Sequence, residues 1–251
     1  MKLNLPPSCC PARSALALAW CAALSVFSAS ARAENTDPLE GFNRSMFAVH
    51  EGIDHAVMKP LAQGYDAAVP LPAKMSVGNF YSNLWEVSRS GNAFLQGKGS
   101  NGLTGLGRLL INSTVGIFGL FDVASELGLE EGNEDFGQTL AVWGVPDGPY
   151  LFLPVLGPNN ARDLVGWGVD QYTYPLWQQV EDKPVLRNSL GVLSFVKTRA
   201  NLLPVDTVID EAALDRYAYI RSAYQQRRAA LINDGVPPRP VEDDDDYNNN
   251  R

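Results

Sequence analysis

Apolar residues recur at helical spacing through nearly all of this chain, and glycine or proline interrupts the pattern at each joint. A series of such segments, with no long alternating run of strand type, predicts a mainly α fold. The first segment opens at Asp37-Pro38-Leu39-Glu40. Asp37 suits an N-cap, Pro38 the first helical position, and Glu40 completes a capping box three residues on. Phe42, Met46, Val49 and Ile53 then form an apolar stripe, with Phe42 expected in the core. A helix is therefore predicted over 38–57, ahead of Lys59-Pro60. Further helices are predicted over 73–95, 101–115, 134–142, 161–172, 185–202 and 206–233. Asn133 is the candidate cap of the fourth segment, and Gly97 and Gly235 supply stops.

Two stretches depart from that pattern. Residues 142–158 contain Pro146, Pro149, Pro154 and Pro158, which forbid a continuous helix. Trp143, Tyr150, Leu151, Phe152 and Leu153 make the same stretch too apolar for an exposed loop. It is either a buried extended segment or an interfacial hairpin, where Trp and Tyr are common. Residues 109–121 carry no charge between Arg108 and Asp122. That run is too short to span a bilayer, and fits either a buried core segment or insertion into one leaflet.

The ends have their own character. Residues 1–33 read as an export signal: Lys2 and Arg13 precede an uncharged apolar run, and Ala31-Arg32-Ala33 is a small-x-small cleavage site. All three cysteines, Cys9, Cys10 and Cys21, lie in this leader, so cleavage after Ala33 leaves a mature chain without disulfides. Residues 34–235 are long enough for one domain with a real core. Residues 236–251, with an Asp243–Asp246 run, read as a disordered acidic tail. Removing three leader cations from 20 leaves 17 against 28 carboxylates, a mature charge of −11. That balance argues against nucleic acid and against electrostatic docking on anionic lipid, so any membrane contact has to be apolar.

Little in the sequence marks a site of chemistry. His50 and His55 point about 140° apart on a helix and cannot share a metal. No P-loop, dinucleotide fingerprint or nucleophile elbow occurs, and neither a cofactor nor a metal is expected. Glu130, Glu131, Glu134 and Asp135 cluster around Gly132-Asn133. They fit a solvated turn with negative charge at the start of the next helix, or a carboxylate pair of glycosidase type.

One string is specific. Asp37-Pro38-Leu39-Glu40-Gly41-Phe42-Asn43-Arg44 resembles the opening of the MlaA/VacJ family, outer-membrane lipoproteins of the Gram-negative lipid-asymmetry system. Ala93-Phe94-Leu95-Gln96-Gly97, Arg108-Leu109-Leu110-Ile111-Asn112-Ser113, Gly119-Leu120-Phe121-Asp122 and Asp135-Phe136-Gly137-Gln138-Thr139-Leu140 follow in family order. Gly148-Pro149-Tyr150, Arg162-Asp163, Thr198-Arg199-Ala200 and Tyr217 extend the match toward Gly235.

The resemblance implies a single helical ring, or doughnut, in the inner leaflet of the outer membrane, enclosing an amphipathic channel beside a Pro/Gly-rich apolar hairpin. It implies passage of phospholipid from the outer leaflet to a soluble periplasmic carrier (MlaC-like), association with a porin trimer, and no enzymatic activity. Asn43, Arg44, Gly116, Gly119, Arg162, Asp163 and Arg199 are the candidates for lining the channel or bracing the ring. Phe118, Leu120, Phe121, Trp143, Tyr150 and Phe152 are the candidates for facing lipid. Family members usually carry a lipidated cysteine. Here Leu18-Ala19-Trp20-Cys21 is the only candidate, and its Trp20 stands where a small residue is expected, so cleavage after Ala33 is the favoured reading and lipidation at Cys21 the alternative. The rival functions are a periplasmic hydrolase of lipid or envelope glycan using Glu134 or Asp135, and a purely structural envelope tether.

Overall fold

The computed structural model describes residues 37–235, so the leader, its cysteines and the acidic tail lie outside the described residues. Helix α1 (Glu40–Ile53) passes through one π-helical turn (Asp54–Met58) into α2 (Lys59–Ala68). The long α3 (Leu71–Leu95) and α4 (Gly99–Thr114) pack on each other, followed by the short α5 (Val123–Glu126) and α6 (Phe136–Val142). Strands β1 (Tyr150–Leu153) and β2 (Gly157–Asn160) form an antiparallel hairpin with Tyr150 opposite Asn160. Then come α7 (Ala161–Thr173), α8 (Pro175–Gln179), α9 (Pro184–Ala212) and α10 (Arg216–Ile232). Helix α6 lies on α7, α9 on α2, and α1 on β1. Among the described residues, no helix is long and apolar enough to cross a membrane.

Several boundaries differ from the sequence expectation. Leu39, not Asp37, holds the N-cap of α1 and offers no side-chain bond. Glu40 instead faces along the helix, accepting from Arg44 Nε at 2.7 Å, because an i,i+4 partner is within reach and competes with a capping box. Asp135, not Asn133, caps α6, accepting from Gln138 N–H at 2.8 Å. The predicted break near Pro204 is absent, and α9 continues to Ala212. Proline removes one N–H, but here an Arg199–Asp206 ion pair of 2.7 Å spans the site and ties the flanking turns together. The chain breaks instead at Ala213, which is extended, and Asp215 caps α10 by accepting from Ala218 N–H at 3.1 Å.

Among the described residues, two small apolar clusters form the core. Tyr81, Tyr174 and Leu176 make one, with Phe80, Trp85 and Trp177 around them. Tyr150, Phe152 and Tyr217 make the other, where Phe47 meets Phe152 edge-on at 5.2 Å.

Candidate functional site

Helix faces are turned the opposite way from those of a water-soluble protein. In α4, Gly102, Gly105, Arg108 and Asn112 are buried, while Leu103 and Leu110 are each 66% exposed. In α3 the buried set includes Asn83, Glu86, Ser90 and Asn92, while Val87, Phe94 and Leu95 lie outside. In α1 the buried residue is Asn43, fully enclosed, and Phe42 is 48% exposed. Phe42 is therefore not a core residue: the neighbouring phase of the helix, Asn43, Phe47, His50 and Asp54, faces inward. Among the described residues, buried polar and charged side chains outnumber buried apolar ones. A surface so rich in exposed Leu, Val and Phe suits hydrocarbon rather than water.

Small residues let the inverted helices approach. A Cβ at Gly102 would lie 2.7 Å from the Phe94 ring, and one at Gly105 would lie 2.3 Å from Ser90 Oγ. Close contact through small residues is how helices pair where no hydrophobic force acts between them.

Most of the buried charges among the described residues are paired. Arg108 Nε donates to Glu86 Oε1 at 2.8 Å, and Arg108 Nη2 reaches both Asp122 oxygens at 3.1 Å. Burial pushes the Glu86 carboxyl up, against the pull of Arg108. Arg199 grips Asp54 with two bonds of 2.6 and 2.7 Å and Asp206 with a third, tying the π-helical turn to α9. Those bonds hold the Asp54 carboxyl below its usual range. Arg162 and Asp163 are both buried and bonded to each other at 3.0 Å. Asp163 also accepts from Tyr224 Oη at 2.7 Å and from Arg228 Nη2 at 2.9 Å.

A cavity of about 520 Å³ opens among α1, the hairpin, α9 and α10. Phe47, Phe152, Phe195, Leu202, Ile209 and Ile220 supply apolar wall. Asp54, Arg199, Asp206 and Arg216 supply charge of both signs. His50 also lines it, its Nδ1 accepting from Val155 N–H at 3.2 Å, and burial lowers its tendency to take a proton. The lining therefore offers apolar and ionic surface side by side. A second cavity of about 910 Å³ is polar, between α4, residues 128–134 and α10.

Of the candidate residues, Arg199 lines the 520 Å³ cavity, whereas Asn43 and Arg44 do not. Asn43 braces: its amide donates to Tyr150 C=O at 3.0 Å and accepts from Phe152 N–H at 2.9 Å. Arg44 is exposed and bridges α1 to the cap of α10 through Asp215 at 2.6 Å. Gly116 and Gly119 shape a knuckle after α4. A Cβ on Gly116 would fall 2.2 Å from Phe121 O, and Gly119 has φ +83° against the Asn83 side chain. Ile117 and Phe118, with φ of 52° and 57°, also sit in the left-handed region, at a cost of about 1–3 kcal/mol each. The strain turns Phe118 outward to 77% exposure, with Leu120 and Phe121 also exposed. Trp143 is exposed as well.

Tyr150 and Phe152, expected to face lipid, are buried at 5% and 1% exposure. Strand alternation puts both on the side of β1 that packs on Phe47 and Tyr217, so the hairpin is an inward wall. The partners Asp54, Glu86, Asp206 and Arg228 were not singled out from sequence. A polar stripe one residue out of phase with each apolar stripe is the signal that marks the first two.

Comparisons with known proteins agree with this architecture. The family model for MlaA lipoprotein matches residues 35–231. An Escherichia coli (strain K12) protein named intermembrane phospholipid transport system lipoprotein MlaA is 35% identical over 207 residues, 80% of each chain. An uncharacterized protein of Rickettsia typhi is 38% identical over 199 residues, 78% of each chain. A solved chain, from work on the structural basis for maintenance of bacterial outer membrane lipid asymmetry, superposes with a TM-score of 0.70 at 34% identity. That superposition covers 79% of this chain and all of the other. With the match extending over nearly the whole described domain, this chain belongs to the MlaA lipoprotein family.

Proposed function

We propose that this chain is the outer-membrane component of a phospholipid transport system, taking phospholipid that has strayed into the outer leaflet and passing it to a soluble periplasmic carrier. The name of the Escherichia coli relative, an intermembrane phospholipid transport system lipoprotein, supports the general role. The observation that carries the proposal is the inverted surface: apolar side chains outward, paired charges inward, and a cavity that presents both kinds of wall. Hydrocarbon outside stabilises the exposed Leu, Val and Phe, so the domain sits in one leaflet without a spanning helix. A headgroup meets ionic side chains while its tails meet apolar wall, which lowers the cost of moving a polar group past hydrocarbon.

In this reading the helices close into a ring around a channel, the periplasmic face meets the carrier, and a porin trimer flanks the ring. No bond is made or broken. Glu134 and Asp135, the carboxylates a hydrolase would need, have structural tasks: Glu134 accepts from Lys98 at 3.0 Å and Asp135 caps α6. The buried, cavity-lining Arg199 cluster also speaks against a mere tether, which has no use for a charged interior.

Deleting the protein from its parent cell tests the proposal. Phospholipid should accumulate in the outer leaflet, read by amine labelling of intact cells with an impermeant reagent. Unchanged surface phospholipid in the deletion strain would defeat the transport role.

A further inference from the structure

A third cavity, of about 290 Å³, lies between α3, β2, α6, α7 and α10 and shares Tyr224 with the 520 Å³ cavity. Its volume falls just under the range of about 300–1,000 Å³ for drug-sized ligands, which suits a smaller group. Trp85, Trp167 and Tyr224 give it aromatic wall, Asp135, Asp163 and Asp170 give it carboxylates, and Arg228 is its one lining cation, set against three acids. Asp163, Trp167 and Asp170 follow at i, i+4 and i+7 on α7, so one helix face supplies an aromatic ring between two acids.

The three carboxylates differ in their partners. Asp135 pairs with Arg228, and Asp163 pairs with both Arg162 and Arg228. Asp170 is 5% exposed and makes no ion pair with any described residue. Its oxygens accept only from neutral groups: Asn92 Nδ2 at 2.9 Å, Ser88 Oγ at 3.2 Å and Phe136 N–H at 2.9 Å. Burial pushes this carboxyl above its ordinary value, the direction of a group short of positive charge. Buried carboxylates are paired as a rule, because a lone one forfeits its hydration. The aromatic side of the site is open: Trp167 is 43% exposed, and Trp85 stacks on Tyr174 at 4.4 Å, which fixes its ring.

We infer that this cavity binds an organic ammonium group, held by the faces of Trp85 and Trp167 and by the unpaired charge of Asp170. Aromatic faces attract cations through their ring quadrupoles, and a desolvated site strengthens that attraction. An inorganic cation is not favoured, since the described residues form no metal-type cluster of three ligating side chains. The ammonium belongs either to a free amine or to the headgroup of a zwitterionic phospholipid. The inference stands apart from transport, because a free amine is enough to test it.

The test is calorimetric titration of the detergent-solubilised full chain with choline and with dimethylbutanol, its neutral carbon isostere. Saturable choline binding, at least tenfold tighter than the isostere, is expected. Asp170→Asn should weaken it tenfold or more, and Trp167→Ala should weaken it while leaving the helical circular dichroism unchanged. Equal binding of choline and isostere, or no saturable binding, would overturn the inference even if Asp170→Asn fails to fold. Competition by detergent micelles doped with phosphatidylethanolamine, but not by micelles doped with phosphatidylglycerol, supports a headgroup source. Choline binding that neither lipid displaces supports a free amine.

Discussion

Asn43→Ala paired with Phe42→Ala tests the inverted architecture most directly. Asn43 is fully enclosed, and its amide serves the free edge of β1 as a third strand would, bonding Tyr150 C=O and Phe152 N–H at 3.0 and 2.9 Å. Truncation withdraws a partner from two buried backbone groups. Each loss costs about 1–3 kcal/mol, so Asn43→Ala should cost about 2–6 kcal/mol. Phe42 is 48% exposed, and burying a whole phenylalanine contributes about 1.5–3 kcal/mol, so Phe42→Ala should cost about 1 kcal/mol. The measurement is denaturant unfolding of the detergent-solubilised chain, followed by circular dichroism. An ordinary apolar core would reverse this ranking. If Phe42→Ala proves the more damaging substitution, the inward polar face of α1 is refuted.

Gly119→Ala should destabilise by about 2 kcal/mol or more, since φ is +83° and the new Cβ would lie 2.6 Å from Asn83 Cβ. Gly41→Ala, with open space around it, should be neutral or slightly stabilising in the same melt. Arg199 holds the Asp54 carboxyl below its usual value, so that contribution is complete above the unfolded value of about 3.9 and is lost as pH falls through the lower folded one. Unfolding midpoints recorded from about pH 5 down to about pH 2 should therefore fall less steeply in Asp54→Asn than in the parent chain. Mass spectrometry of the mature chain should find a free N-terminus at Glu34. A diacylated Cys21 would show that the lipid anchor, rather than the apolar surface alone, holds the protein in place.

Much of the helical layout was legible. The glycine and proline joints locate α3, α4 and α7 closely, because backbone restrictions act on one residue at a time. Caps were less legible. Asp37, Asn133, Asp135 and Asp215 are equally good cap chemistry, and only the folded chain shows which one meets a helix N-terminus. Pro204 was misleading for a related reason: the Arg199–Asp206 pair that carries α9 across it depends on a side-chain geometry that sequence spacing merely permits. Residues 142–158 were legible as either a buried extended segment or an interfacial hairpin; they form a hairpin, and the burial of Tyr150 and Phe152 depends on Phe47 and Tyr217, which are distant in sequence.

The candidate site divides the same way. Family resemblance brings Arg162, Asp163 and Arg199 forward, and all three are buried charges. It does not bring forward Asp54, Asp206 or Arg228, the side chains that hold them.

By itself, the sequence determined that the chain is mainly helical, placed α3, α4 and α7 to within a few residues, and showed that each helix has one apolar and one polar side. It did not determine which side turns inward. Leu103-Leu106-Leu110 and Gly102-Gly105-Arg108-Asn112 are opposite faces of one helix, and periodicity marks both equally. The tertiary structure settles the choice, because Glu86 and Asp122 arrive from other elements to neutralise Arg108. A buried charge is tolerable only where its partner is already in place, and that meeting is made by packing, not by spacing along the chain.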